Sequence, residues 1–162
     1  MGDVAKTTLP PFQAFMDDHR DDVWRFLVAV AGPQEADDCL QETFLSALKA
    51  YPELRDAQNL KGWVMTIAYR KAMDTHRSRR RHPVPVAAVP EIAGGAGAPV
   101  APDDELWDAV RCLPPMQRAA VAYRYVSDMP YKQIADVLSC SEDSARQNVR
   151  MGLRKLREVL SE

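Results

Sequence analysis

The 162-residue chain has 46% hydrophobic and 27% charged residues, the balance of a globular protein with room for one domain or two small ones. That composition excludes collagen-like, disulfide-scaffold and wholly disordered classes. With 21 Lys+Arg against 23 Asp+Glu, the net charge is -2, so nothing attracts the whole molecule to nucleic acid or to an acidic membrane, and any basic surface has to be local.

Apolar runs such as Phe26 to Ala31 are far shorter than the roughly 18 residues a spanning helix needs. The first ten residues carry Asp3 and Lys6 and no apolar stretch, which argues against a secretory leader and for a cytoplasmic protein. Cys39, Cys112 and Cys140 stand far apart, with no C-x-x-C pair. They read as reduced thiols serving as small buried or half-buried apolar residues, not as metal ligands.

In chain order, Phe12, Phe15, Met16, His19, Val23, Phe26, Leu27 and Val30 recur at three- and four-residue steps, the pattern of one helix face. Gly32-Pro33 ends that helix, and Pro33 suits the first turn of the next. The second helix is expected to bury Leu40, Thr43, Phe44, Ala47, Leu48 and Tyr51, and Pro52 closes it. Asn59 can cap a third helix that buries Leu60, Trp63, Val64 and Ile67. The far half of that helix turns basic.

Residues 83–102 hold five prolines and three glycines around a single charge, Glu91, a composition that supports neither helix nor central strand. This is a Pro/Gly/Ala-rich linker able to reach on the order of 70 Å at full extension. Beyond it, Asp103 or Asp104 can cap a helix carrying Leu106, Val110 and Leu113. Pro114-Pro115 opens the next, with Ala119, Ala120, Tyr123 and Val126. A turn at Ser127-Asp128-Met129-Pro130 leads to a short helix with Ile134, Ala135 and Leu138. Ser139-Cys140-Ser141 then joins it to a long helix ending near Leu160. Two helices joined by three or four residues form a helix-turn-helix signature. The expected fold is all-α: an N-terminal bundle of three to four helices (10–82), the linker (83–102) and a C-terminal helix-turn-helix domain (103–162).

Three constellations carry chemistry. In the last helix, Ala145, Val149, Leu153, Leu156 and Leu160 form an apolar stripe beside Arg146, Arg150, Arg154 and Arg157. Ser141 is the expected cap. Ser144, Arg146, Gln147, Asn148, Arg150 and Arg154 therefore stand where a recognition helix meets DNA, Arg suiting guanine and Asn or Gln suiting adenine. The third helix carries Lys61, Arg70, Lys71, Arg77, Arg79, Arg80 and Arg81 against one acid, Asp74, a density suited to phosphates, with Tyr69 or His76 as a stacking surface. Trp63, in register with Leu60 and Ile67, reads as core. The second helix shows an acidic, polar edge: Glu35, Asp37, Asp38, Gln41 and Glu42. No nucleophile constellation, phosphate loop, dinucleotide fingerprint or zinc spacing accompanies these, so neither catalytic residues nor a cofactor or metal is expected.

These residues resemble the extracytoplasmic-function (ECF) sigma factors of bacterial RNA polymerase. Glu35-Ala36-Asp37-Asp38-Cys39-Leu40-Gln41-Glu42-Thr43-Phe44 is similar to the family's D-A-E-D-hydrophobic-x-Q-E-T-F segment. Trp63-Val64, Ile67-Ala68, Asp74 and Arg77 to Arg81 fall where the family has W-L, I-A, D and an arginine-rich end. Leu113-Pro114, Gln117-Arg118, Tyr131, Gln133-Ile134-Ala135, Leu138, Leu156 and Arg157 follow its second-domain pattern. The resemblance implies that Asp37, Asp38, Gln41 and Glu42 dock on the coiled coil of the polymerase's largest subunit. It implies that Asn59, Lys61, Tyr69, Arg70, Arg77, Arg80 and Arg81 hold the minus-10 element as single-stranded DNA, with the loop from Tyr51 to Asn59 receiving a flipped base. The helix-turn-helix would read duplex minus-35 DNA beside the polymerase flap, and an anti-sigma protein would be a further partner. Arg70, where the family usually has Asn, and Met151-Gly152, in place of Arg-Ala, depart from the pattern. A stand-alone helix-turn-helix repressor or activator is the alternative reading.

Overall fold

In the computed structural model, which describes residues 8–55, 57–81 and 104–161, the helical breaks fall where proline and glycine punctuate the chain. Among the described residues the helices are α1 (Phe12–Ala31), α2 (Pro33–Ala50), α3 (Leu60–Arg81), α4 (Asp104–Arg111), α5 (Pro115–Tyr125), α6 (Tyr131–Leu138) and α7 (Glu142–Leu160), with a 3-10 turn at Tyr51–Glu53. No strand occurs among the described residues. The expected linker, 83–102, and Asp103 lie outside them.

Gly32 makes the α1–α2 corner because its φ of 88° is a backbone state that L side chains rarely adopt. Its N–H closes α1 on the Val28 carbonyl at 3.0 Å, and Pro33 then opens α2. On α1, Phe15, Val23, Phe26, Leu27 and Val30 are buried, while Phe12, Met16 and His19 are half-buried. Phe15 and Tyr51 (centroids 5.3 Å apart) pack with Phe12 and Trp63 in an aromatic cluster. The Tyr51 hydroxyl donates to the Pro10 carbonyl, tying the chain ahead of α1 to the end of α2. Thr43 is buried with its hydroxyl donating to the Cys39 carbonyl at 2.6 Å, which satisfies the one polar group on that face.

Two expectations for α2 and α3 need correction. Leu48 was expected inside but is 50% exposed. The stripe that meets α1 and α3 is centred on Leu40, Thr43 and Ala47, and Leu48 lies round the helix beyond it. On α3, Asn59 does cap the helix, its Oδ1 accepting the Gly62 N–H at 3.1 Å. Its inner residues are Val64, Met65, Ala68 and Ala72, whereas Leu60, Trp63 and Ile67 are half-buried. Met65 is buried because α3 is covered on a second side by the C-terminal half, where α6 packs on α3 and α4 and α5 pack on α1. Both halves thus contribute to one buried cluster, with a second, smaller cluster of Val110, Leu113, Val121 and Leu156 between α4, α5 and α7.

The α6–α7 turn passes through Ser139 in the left-handed region (φ 53°, ψ 45°), and the Cys140 N–H bonds the Ala135 carbonyl at 3.0 Å. Cys112 is exposed rather than buried; it lies in the turn after α4, outside the apolar faces of α4 and α5. Ala145, Val149 and Leu156 of α7 are buried as expected, but Leu153 is half-buried and Leu160 is 42% exposed, beyond the reach of α5.

Gly152 explains itself through α5. A Cβ at this position would stand 2.7 Å from Val121 Cγ2 and 3.5 Å from Leu113 Cδ1, so the close helix approach excludes a side chain. Gly152→Ala gains up to about 1 kcal/mol of helix propensity but overpacks a stiff β-branched neighbour at a cost of roughly 1–3 kcal/mol. Urea unfolding should show a net loss of about 1 kcal/mol. The same change in a Val121→Ala background should become neutral or stabilising; a loss of equal size in both backgrounds would reject the clash.

Candidate nucleic-acid and polymerase interfaces

The start of α7 is fixed by Ser141, whose Oγ accepts the Ser144 N–H at 3.0 Å. Glu142 and Asp143 follow in the first turn, where carboxylates suit the positive end of the helix dipole. With Ala145 and Val149 seated in the core, Arg146, Gln147, Arg150 and Arg154 are turned to solvent and share one open surface with Asp143 and Met151. Arg146 is held in place: Glu142 Oε1 lies 2.5 Å from its Nη2, Asp143 lies 3.7 Å away, and its guanidinium is 5.2 Å from the Tyr131 ring centre. Arg124 sits on the same ring at 4.5 Å. Arg150 makes no hydrogen bond or ion pair among the described residues, leaving its planar fork free.

Two of the residues assigned to duplex reading are engaged by the helix itself. Asn148 is half-buried and its amide donates to the Ser144 carbonyl at 2.9 Å, the usual local bond of a short polar side chain within a helix. Ser144 is part of the cap, its hydroxyl 2.9 Å from that of Ser141.

The residues assigned to single-stranded DNA do not form one open face. Arg70 and Arg77 are exposed on α3. Asn59 is spent on the cap. The Lys61 ammonium donates to the Ser127 carbonyl at 3.0 Å and lies 3.6 Å from Asp22. The Tyr69 hydroxyl points at the Met116 sulfur, 3.6 Å away; burial pushes its pKa up, against the opposing pull of Arg77 and Arg118. α3 continues through Arg80 and Arg81, whose side chains, with those of His76 and Arg79, lie outside the described residues.

On α2, Asp37, Asp38, Gln41 and Glu42 are all exposed while Cys39 and Leu40 turn inward. Cys39 Sγ lies 3.4 Å from the Thr75 hydroxyl, and burial pushes its thiol pKa up. The same outer face runs on into Leu45 and Leu48, 57% and 50% exposed; the sequence reading of α2 left Leu45 unassigned and placed Leu48 in the core. The signal was present: apolar residues spaced four and seven from Gln41 on the acidic side of the helix.

The folded chain therefore offers a capped, arginine-faced helix after a tight turn, a basic third helix and a separate acidic-apolar face, the parts of a transcription protein that grips DNA and another protein together. Residues 15–82 match the family model for Sigma-70 region 2, and residues 103–156 match that for Sigma-70, region 4. The RNA polymerase sigma factor CarQ of Myxococcus xanthus is 34% identical over 134 residues, 78% of this chain and 75% of that protein. The ECF RNA polymerase sigma factor SigC of Mycobacterium tuberculosis is 30% identical over 150 residues, 90% of this chain and 81% of that protein. Sigma factor RpoE of Bartonella quintana, solved in complex with the anti-sigma factor NepR, has the same fold, with a TM-score of 0.75 across 93% of this chain and 96% of that chain at 21% identity.

The chain belongs to the ECF sigma factors, which direct core RNA polymerase to promoters and initiate transcription. No helix among the described residues is long and apolar enough to cross a membrane.

Proposed function

We propose that the chain works in the cytoplasm, catalyses no reaction of its own and divides promoter selection between two units, 10–82 and 103–162. In this reading Asp37, Asp38, Gln41 and Glu42, continued by Leu45 and Leu48, form the surface that docks on core polymerase. Arg146, Gln147, Arg150 and Arg154 face duplex minus-35 DNA in the major groove, with Ser144 and Asn148 supporting the helix start. Lys61, Tyr69, Arg70, Arg77, Arg80 and Arg81 line the path of the melted minus-10 strand, and Asn59 orders the first turn of that helix. An anti-sigma protein is an expected partner; two proteins of the same fold, RpoE and CnrH, were solved bound to NepR and to the cytosolic domain of CnrY.

The observation that carries the reading is the start of α7, where the Ser141 cap and the buried Ala145 and Val149 leave Arg146, Gln147 and Arg150 exposed together. Arg and Gln so placed match the hydrogen-bond pattern of base edges, while the polymerase supplies the affinity that a protein of net charge -2 lacks. Transcription by purified core polymerase, with and without the chain, is the test. New start sites should appear only when both are present. Tight, sequence-specific retardation of a duplex by the chain alone would favour the repressor reading instead.

A further inference from the structure

Six large apolar side chains are exposed among the described residues, and five of them lie on the outer face of α2 or at helix ends. Leu45 and Leu48 continue the acidic face of α2, Tyr125 ends α5, and Val159 and Leu160 close α7. Met151, 40% exposed, stands instead in the middle of α7. It shares one open surface with Arg146, Gln147, Arg150 and Arg154. A single exposed methionine is ordinary on a protein surface; an apolar side chain set among the residues assigned to DNA is not.

The helix period and the packing of α7 put it there. Ala145, Val149, Gly152 and Leu156 form the buried side of α7, and the close approach of Gly152 to Val121 fixes the rotation of the helix about its axis. At about 100° per residue, Met151 then lies about 40° round from Gln147 and one turn further along. Gln147 and Met151 are i,i+4 neighbours on the outward face. Neither belongs to a buried cluster, so the core does not account for the apolar choice at 151.

The chemistry of the side chain narrows what it can recognise. A thioether has no donor and is only a weak acceptor. The major groove shows donors and acceptors at every base pair but a single apolar group, the C5 methyl of thymine. Met151 gains free energy only where that methyl meets it. Against cytosine, the same contact would cover an amine that loses its water and receives no acceptor in return. An unbranched chain with three rotatable bonds and a polarisable sulfur settles on a methyl without moving the backbone.

We propose that Met151 is a specificity-determining residue of the minus-35 interface, selecting thymine at one base pair through an apolar contact with its C5 methyl. The inference rests on the assignment of α7 to duplex minus-35 DNA. The departure from Arg-Ala at positions 151 and 152 then has a physical reason at each: Gly152 makes room for Val121, and Met151 exchanges a hydrogen-bonding fork for a surface that rewards a methyl. Covering one methyl corresponds to about fourfold in affinity.

The test uses the full-length chain bound to core polymerase and double-stranded DNA randomised over the minus-35 region. Selection by the wild type should return a thymine that Met151→Ala no longer prefers and that Met151→Arg replaces with guanine. On the selected duplex, exchanging that thymine for deoxyuridine removes the methyl and nothing else. The exchange should weaken wild-type binding about fourfold in competition and leave Met151→Ala binding unchanged. A wild type indifferent to the exchange, or a Met151→Ala chain that still distinguishes the two duplexes, would overturn the proposal. Arg150→Ala, selected in parallel, separates this inference from the reading beneath it. If Arg150→Ala alters the selected element and Met151→Ala does not, the methyl contact alone is wrong. If neither alters it, the assignment of α7 to the minus-35 duplex falls as well.

Discussion

Reversing charge at Asp38 and Glu42 together, as Asp38→Lys/Glu42→Lys, is expected to reduce capture of core polymerase about a hundredfold or more while leaving the fold intact. Both side chains are exposed one turn apart on α2, so neither contributes to the core formed by Ala36, Cys39, Leu40 and Thr43. Asp38 and Glu42 lie beyond the first turn of α2, so losing them costs at most a few tenths of a kcal/mol through the dipole. Placing two cations against a partner surface that complements acids costs several kcal/mol through lost attraction and new repulsion, and each 1.4 kcal/mol is about tenfold in affinity. Pull-down of purified core by tagged chain measures this, with the far-UV helix signal and the thermal unfolding midpoint as controls for folding. The effect should fall at high salt, because exposed pairs are screened. Undiminished capture would remove α2 from the docking surface. Leu45→Ser/Leu48→Ser should weaken capture with little salt dependence, since their contribution is apolar.

Arg150→Ala is expected to cost about 1–3 kcal/mol in promoter use, roughly ten- to a hundredfold, with most of the loss at one base pair of the minus-35 element. Arg150 is chosen over Arg146 on physical grounds. The Arg146 guanidinium already spends hydrogen bonds on Glu142 and lies on Tyr131, so DNA has to displace partners to use it. Among the described residues Arg150 has none to lose. Competition among promoter variants distinguishes the roles: a base contact makes the loss depend on sequence, whereas a phosphate contact lowers affinity evenly and reduces the salt slope by about one. Unchanged promoter use would remove Arg150 from the duplex interface. Because the side chain is exposed and unpartnered, its loss should leave stability almost untouched, which keeps a binding defect from being mistaken for unfolding.

Much of this architecture was legible because local chemistry decides it. Ser141 before Glu142 and Asp143 announces a helix start that the coordinates bear out, as does Asn59 before α3, and Gly32-Pro33 marks a corner that only a positive φ can make. The close approach at Gly152 was also readable, since a mid-helix glycine is unfavourable unless a neighbour needs the space. What the chain did not disclose depends on residues distant in sequence. Met65 and Ala68 are buried because Tyr123 and its neighbours, more than fifty positions away, cover a second side of α3, and a one-face periodicity rule does not anticipate a helix packed on two. Lys61 and Tyr69 read as free basic and aromatic surface for the same reason. Leu48 and Leu160 follow the helical period yet are exposed, Leu48 because it lies round α2 from the buried stripe and Leu160 because it is the last residue of α7. Asn148 reads as a base-facing amide until its bond to the Ser144 carbonyl is seen.

Promoter-directed transcription tests the central claim most directly: core polymerase free of other sigma factors, a genomic DNA library as template, and transcript 5′ ends mapped with and without the purified chain. The account predicts a discrete new set of start sites. Upstream of each, two shared sequence elements should lie at fixed spacing, and the set should vanish with Asp38→Lys/Glu42→Lys and shrink with Arg150→Ala. Transcripts that are identical with and without the chain, on a core preparation shown to accept another sigma factor, would contradict it.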